Sequence, residues 1–278
     1  MYDVQDKRVQ LEHGSINKGI IAVASGKGGV GKSTVTVNLA TALAELGYKV
    51  GIIDADVRGF SVPRILGVTD KPKAVSEKEI IPPEVKGIKV ISMGSFVDEN
   101  SPVIWRAPLL GGALEQFFKE VRWGELDYML LDLPPGTGDM PLNIMQKVPH
   151  SEVLVVTTPQ VTATKVAGRI GAMAEKMDLD VLGVVENMAY YQCPECGNKD
   201  YIFGENGGKN LADFMETELL GQLPLISEVR RRSDSGKPIV FEEPEAEISK
   251  EFIKIAKKLA AREAGFDEKV EPLKLNMD

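Results

Sequence analysis

The chain alternates between short, almost unbroken apolar runs and longer stretches in which apolar residues recur every three or four positions. The short runs are Gly19 to Ser25, Lys49 to Ala55, Ile88 to Met93, Leu126 to Leu133, Glu152 to Thr158 and Leu179 to Asn187. They are too uniformly apolar to have one wet face, so they predict strands covered on both sides. Between them, Ser33 to Gly47, Leu109 to Val121 and Thr162 to Met177 carry helical spacing, and Gly47 stands where the first of these would stop. Strands alternating with helices predict βαβ units, hence an α/β fold with a mostly parallel sheet and helices on both faces.

This pattern suggests one domain from residue 19 to 264, preceded by a polar segment at 1–18 and followed by an acidic tail at 265–278. The last helix, near Ala246 to Ala264, is amphipathic without a basic anchoring face. Within the domain, residues 70–87 are rich in Pro, Lys and Glu and read as a surface excursion or short hairpin, and 189–208 reads as a Cys-, Gly- and Asn-containing insertion.

Composition narrows the class. With 43% hydrophobic residues and a mean hydropathy of −0.09, the 278-residue chain can build a large core, yet no apolar run reaches membrane-spanning length. The first eighteen residues lack the apolar stretch of a signal peptide, so a cytoplasmic location without a membrane partner is expected. A net charge of −8 argues against a nucleic-acid partner, because phosphate contacts need clustered Lys and Arg. The one basic run, Arg230 to Arg232, reads as a solvated helix face.

The segment Gly26-Lys27-Gly28-Gly29-Val30-Gly31-Lys32-Ser33-Thr34 fits the phosphate-loop pattern G-x-x-x-x-G-K-S/T, and it lies between a predicted strand and a predicted helix. Its glycines let successive N–H groups face an anion together with the helix N-terminus, Lys32 adds a charge on the terminal phosphates, and Ser33 can ligate Mg²⁺. Hydrolysis needs a further carboxylate and a group that orients water. Asp132 ends an apolar run as the Mg²⁺-side carboxylate should, and the loop that follows offers the Gly136 N–H as a γ-phosphate sensor. Asp54 and Asp56 also follow a strand; two residues apart, they point the same way. No Asn-Lys-x-Asp motif for guanine occurs, which favours ATP.

The early Lys27 in "KGGVGKST" resembles the deviant Walker A of the family containing MinD, ParA, the nitrogenase iron protein and the Mrp/ApbC-type iron-sulfur carriers. The runs "DADVRGFSVPRILG", "VIWRAP", "DLPPGTGD", "GVVENMAYYQCPECG" and "DSGKPIV" resemble the Mrp/ApbC branch in order and spacing, over roughly Gly19 to Ala260. The resemblance implies a homodimer sandwiching two ATP molecules, with Lys27 of one subunit acting on the phosphates held by the other. It further implies that Asp56 positions the attacking water, that Asp54 sits in the first switch near Mg²⁺, and that Asn187 reads the adenine. Neither the N-terminal accessory domain nor the N-terminal four-cysteine site of some relatives is present in this sequence.

Both cysteines fall in one knuckle, Cys193-Pro194-Glu195-Cys196-Gly197. Two thiolates are half of a four-ligand site, which a twofold axis would complete by juxtaposing the same patch of two chains. On the spacing alone, a cluster and zinc are equal rivals and a redox disulfide is a third possibility. The family resemblance implies a bridging four-iron, four-sulfur (4Fe-4S) cluster, carried to apo iron-sulfur proteins as recipients. A ParA- or MinD-like spatial organiser and a zinc-bridged, non-catalytic binding module are the alternatives.

Overall fold

The computed structural model describes residues 9–57, 59–76, 78–96, 107–148, 150–262 and 271–272. Most of the "VIWRAP" run, the first eight residues and nearly all of the expected acidic tail lie outside them.

Seven strands form the body of one sheet: β1 (Gly14–Ala24), β2 (Val50–Asp54), β3 (Ile88–Ser92), β4 (Gly124–Asp132), β5 (Ser151–Thr157), β6 (Val181–Asn187) and β7 (Leu219–Leu223). Their spatial order is β7-β6-β5-β1-β4-β2-β3, and every neighbouring pair is parallel. The order places β1, which leads into the phosphate loop, at the centre, with β4 and β5 on either side. Ligands of such sheets gather beyond the carboxyl ends of the strands, where the order reverses.

Burial explains the apolar runs. Along β1, Ile20, Ala22 and Ala24 enter one core while Ile21 and Val23 enter the other, because successive side chains point to opposite faces. The first core is closed by α3 (Ala107–Glu120), α4 (Asp139–Lys147), α5 (Val161–Lys176) and α6 (Gly207–Phe214), through residues such as Phe118, Ile144, Ile170 and Leu211. The second is closed by α1 (Lys32–Glu45), α2 (Ser61–Leu66), α8 (Ile239–Glu242) and α9 (Glu247–Ala261), through Leu39, Ile65, Val240 and Phe252. A further helix, α7 (Ser227–Asp234), carries the arginine run, and Asp234, Glu228 and Glu243 pair with its three guanidinium groups. Among the described residues no helix is long and apolar enough to cross a membrane.

Within the sheet, one boundary is displaced and one strand was not expected from the sequence pattern. β1 starts at Gly14, five residues before the apolar run, because Val9–Leu11 pairs antiparallel with its polar beginning. The strand β7 had no counterpart among the predicted runs; its sequence, Leu-Leu-Gly-Gln-Leu, lacks β-branched residues, and its pairing with β6 makes it a strand. The 70–87 excursion contains a hairpin, Lys73–Ser76 against Glu79–Ile81.

Candidate functional site

The phosphate loop crosses from β1 to α1 at the carboxyl edge of the sheet. Gly31, at the N-cap of α1, has φ 83°, a left-handed conformation that favours glycine. A side chain there would also collide with Asn187, since a Cβ would lie 2.2 Å from Asn187 Nδ2. That amide donates instead to the Val30 carbonyl at 2.8 Å and ties the end of β6 to the loop. Gly28 and Gly29 are exposed, as is Lys27, whereas Gly26 and Val30 are buried.

Lys32 and Ser33 open α1 and turn toward Asp132 at the end of β4. Lys32 Nζ lies 2.8 Å from Asp132 Oδ2 and 3.9 Å from Asp56 Oδ2, and Ser33 Oγ donates to Asp132 Oδ2 at 2.6 Å. Thr36, one helical turn on, donates to Asp132 Oδ1 at 2.7 Å. Asp132 is fully buried and Lys32 is 5% exposed. The lysine ammonium is held by its ion pair with Asp132 and makes no hydrogen bond of good geometry within the chain, so it keeps donor capacity for an anion. The oxygen set of Ser33 and Asp132 is the hard donor chemistry that Mg²⁺ takes.

Asp54 sits directly across from Asp132 in the β2–β4 register. It accepts hydrogen bonds from the Asp56 N–H at 3.2 Å, the Val62 N–H at 3.3 Å and the Ser92 hydroxyl at 3.2 Å. Burial, followed by the Asp132 charge, pushes its pKa up to about 7, against the opposing pull of Lys32 and the two N–H donors. The Gly136 N–H, in the loop after β4, donates to the Ser25 carbonyl at 2.8 Å.

A cleft of about 700 Å³ opens beside the loop, from Gly31 and Thr34 past Asn187 and Met188 to Pro224, Leu225 and Ile226. Its size and mixed lining suit a nucleoside. The structure thus brings together Lys32, Ser33, Asp54, Asp56, Asp132 and, through the loop, Gly136 and Asn187. Sequence reading missed Thr36 and Ser92. Thr36 was detectable from its position three residues after Ser33 on the same helix face, whereas nothing local marks Ser92, whose role arises from β2–β3 pairing.

The cysteines occupy a separate hairpin, whose stem pairs Tyr191 with Asp200 and Gln192 with Lys199. Gly197 N–H donates back to the Cys193 carbonyl at 2.9 Å, which closes the knuckle. Backbone N–H groups of Cys196 and Glu195, together with the Cys196 thiol, hold the Cys193 thiol below its usual pKa and favour the metal-binding thiolate. Cys193 is half-buried and Cys196 is exposed. Among the described residues no three His, Cys, Asp or Glu side chains are grouped to hold a metal, so one chain brings only this pair.

A central strand that delivers a glycine-rich turn and a buried lysine to the carboxyl edge of a parallel sheet defines a P-loop NTPase. Within that class the ParA-type model described as "NUBPL iron-transfer P-loop NTPase" matches residues 16–260, and the chain belongs to that family. The iron-sulfur cluster carrier protein of Bacillus subtilis (strain 168) is 52% identical over 244 residues, covering 87% of this chain and 68% of that protein. The carrier of Pyrococcus horikoshii is 48% identical over 251 residues, 86% of this chain and 84% of the relative. Against the carrier of Mycobacterium tuberculosis (strain H37Rv), 48% identical over 252 residues, the match takes in 88% of this chain and 66% of the relative's length. A nucleotide-binding protein from Archaeoglobus fulgidus, solved in complex with ADP, superposes with a TM-score of 0.70 at 43% identity, covering 82% of this chain and 88% of that one. The septum site-determining protein MinD of P. horikoshii, complexed with Mg-ADP, gives 0.66 at 25% identity, covering 87% and 96%.

Proposed function

We propose that the protein is an ATP-dependent iron-sulfur cluster carrier that works as a homodimer in the cytoplasm, holding a 4Fe-4S cluster between two knuckles and passing it to apo iron-sulfur proteins. The observation that carries this reading is the pair of thiols on one knuckle, half of a four-thiolate set, in a chain that also has a full phosphate site. The carriers among its relatives support the same reading.

In this reading the loop N–H groups and Lys32 bind the ATP phosphates. Ser33 and Asp132 hold Mg²⁺, which neutralises phosphate charge when bound. Asp56, whose carboxylate lies 3.9 Å from Lys32 Nζ, orients a water for attack on the γ-phosphorus, and the bond to the β–γ bridging oxygen breaks. Exposed Lys27 reaches the phosphates of the partner subunit. Because the Asn187 amide nitrogen is engaged by Val30, its oxygen remains to accept the adenine amino group, which guanine lacks at that position.

Anaerobic reconstitution with iron and sulfide tests the proposal. One cluster per two chains is expected, with its visible absorption lost on transfer to an apoprotein, and Cys193→Ser or Cys196→Ser should abolish uptake while ATP turnover persists. Uptake of zinc alone, or normal delivery by the serine variants, overturns it.

A further inference from the structure

The segment that carries the cysteines leaves the sheet at the end of β6 and returns at α6, and adjacent residues of β6 fasten both ends. Asn187, on one face of the strand, bonds the Val30 carbonyl of the phosphate loop. Glu186, on the other face, is 1% exposed and takes the Gly208 N–H in the first turn of α6 on Oε2; its Oε1 accepts from Gln222 Nε2 at 2.7 Å. The helix α6 has no side-chain cap of its own, so this carboxylate serves as one from a neighbouring strand. The fit is close: a Cβ on Gly208 would lie 2.7 Å from the Glu186 side chain. On the entry side, Ala189 N–H bonds the Leu223 carbonyl at 2.9 Å and Leu225 N–H bonds the Tyr190 carbonyl at 2.7 Å, which joins the hairpin to the wall of the nucleoside cleft.

We infer that Glu186 is the positioning residue through which nucleotide at the phosphate loop sets the disposition of the cysteine knuckle. A displacement of the loop or the cleft wall moves the hairpin's entry through Asn187 and Leu225. Because Glu186 holds the exit on β6, a displacement of the cleft wall carried by Leu225 and Tyr190 moves the entry relative to the exit and so changes the knuckle instead of shifting the whole segment. Without the clamp the exit gives way and the knuckle no longer follows. The inference rests on the carrier reading for its purpose, but its mechanics concern this chain's own residues.

The test uses the metal-free protein and reads the rate at which iodoacetamide alkylates Cys193 and Cys196, with and without a non-hydrolysable ATP analogue and Mg²⁺. In the wild type the analogue should change that rate by about fivefold or more, the usual scale of coupling between sites. Glu186→Ala should bind the analogue with wild-type affinity while the ratio falls to near one. Glu186→Gln, whose carbonyl can still accept from Gly208, should recover most of the response. A Glu186→Ala ratio equal to wild type, loss of nucleotide binding along with the response, or a wild type that does not respond each overturns the inference. If Glu186→Ala does not fold, Gln222→Ala, which frees the other carboxylate oxygen, should reduce the response, and an unchanged ratio there overturns it equally. A wild type that responds to nucleotide yet takes up only zinc sinks the cluster reading and leaves the coupling standing.

Discussion

Asp54 and Asp132 are cross-strand partners at the carboxyl ends of two adjacent parallel strands, both fully buried, with the Lys32 ammonium 2.8 Å from the second. One lysine does not offset two carboxylates removed from water, and Asp54 is the one driven toward its neutral form, with a pKa of about 7. The folded protein therefore keeps a proton that the unfolded chain releases above 3.8. The stability contributed by this group is complete below that value and declines as pH rises toward about 7. Asp54→Asn should flatten the decline, as read from urea midpoints across the window without nucleotide. Parallel profiles for variant and wild type would contradict the assignment.

Thr36 gives a cleaner measure of how Asp132 is held. Thr36→Val keeps the shape and removes one donor from a buried carboxylate, which should cost about 1–3 kcal/mol of stability. Chemical denaturation reads this directly, and a change within about 0.5 kcal/mol would mean that the Ser33 hydroxyl and the charge of Lys32 suffice to hold Asp132.

Binding and turnover should separate at Lys32 and Asp56. Lys32→Ala should weaken ATP binding by about 2 kcal/mol, roughly thirtyfold in Kd, because a charge-assisted contact is lost. Asp56→Ala should bind ATP as the wild type does and lose about a hundredfold or more in turnover. Calorimetry and phosphate release distinguish the two variants, and equal turnover in wild type and Asp56→Ala removes Asp56 from its role.

Action of Lys27 across subunits has its own signature. Lys27→Ala should keep its ATP affinity, fail to form an ATP-stabilised dimer and lose about 10³-fold in turnover. Mixed with Asp56→Ala, part of the activity should return, since each heterodimer rebuilds one site with both groups. A verified heterodimer without recovery rules out the shared site.

The features legible in the sequence were those specified locally. The apolar runs of β1, β4 and β5 mark buried strands by composition alone, and Lys32 and Ser33 stand at fixed offsets from the loop glycines. Asp54 and Asp132 were identifiable because each ends such a run. The unread features depend on neighbours distant in sequence. The strand β7 exists through its pairing with β6, α2 is tied to the end of β2 through the Val62 N–H bond to Asp54, and Glu186 reads as one more residue of an apolar run although α6 packs over it. A single charge inside a strand pattern gives no sign of which helix it will cap.

Were Gly136 to sense the γ-phosphate, as the sequence leads one to expect, its N–H would first have to leave the Ser25 carbonyl it now bonds. A donor already engaged does not detect an arriving oxygen; it compares the newcomer with the partner it has. A neutral carbonyl and a charged phosphate differ by about a factor of two in hydrogen-bond strength. The swap would keep the Gly136 donor paired on both sides but release the buried Ser25 carbonyl, so its bias would be that difference less the cost of the released acceptor. A loop wired in this way would act as a comparator: the third phosphate would tip it one way, and its departure after hydrolysis would return the donor to the Ser25 carbonyl.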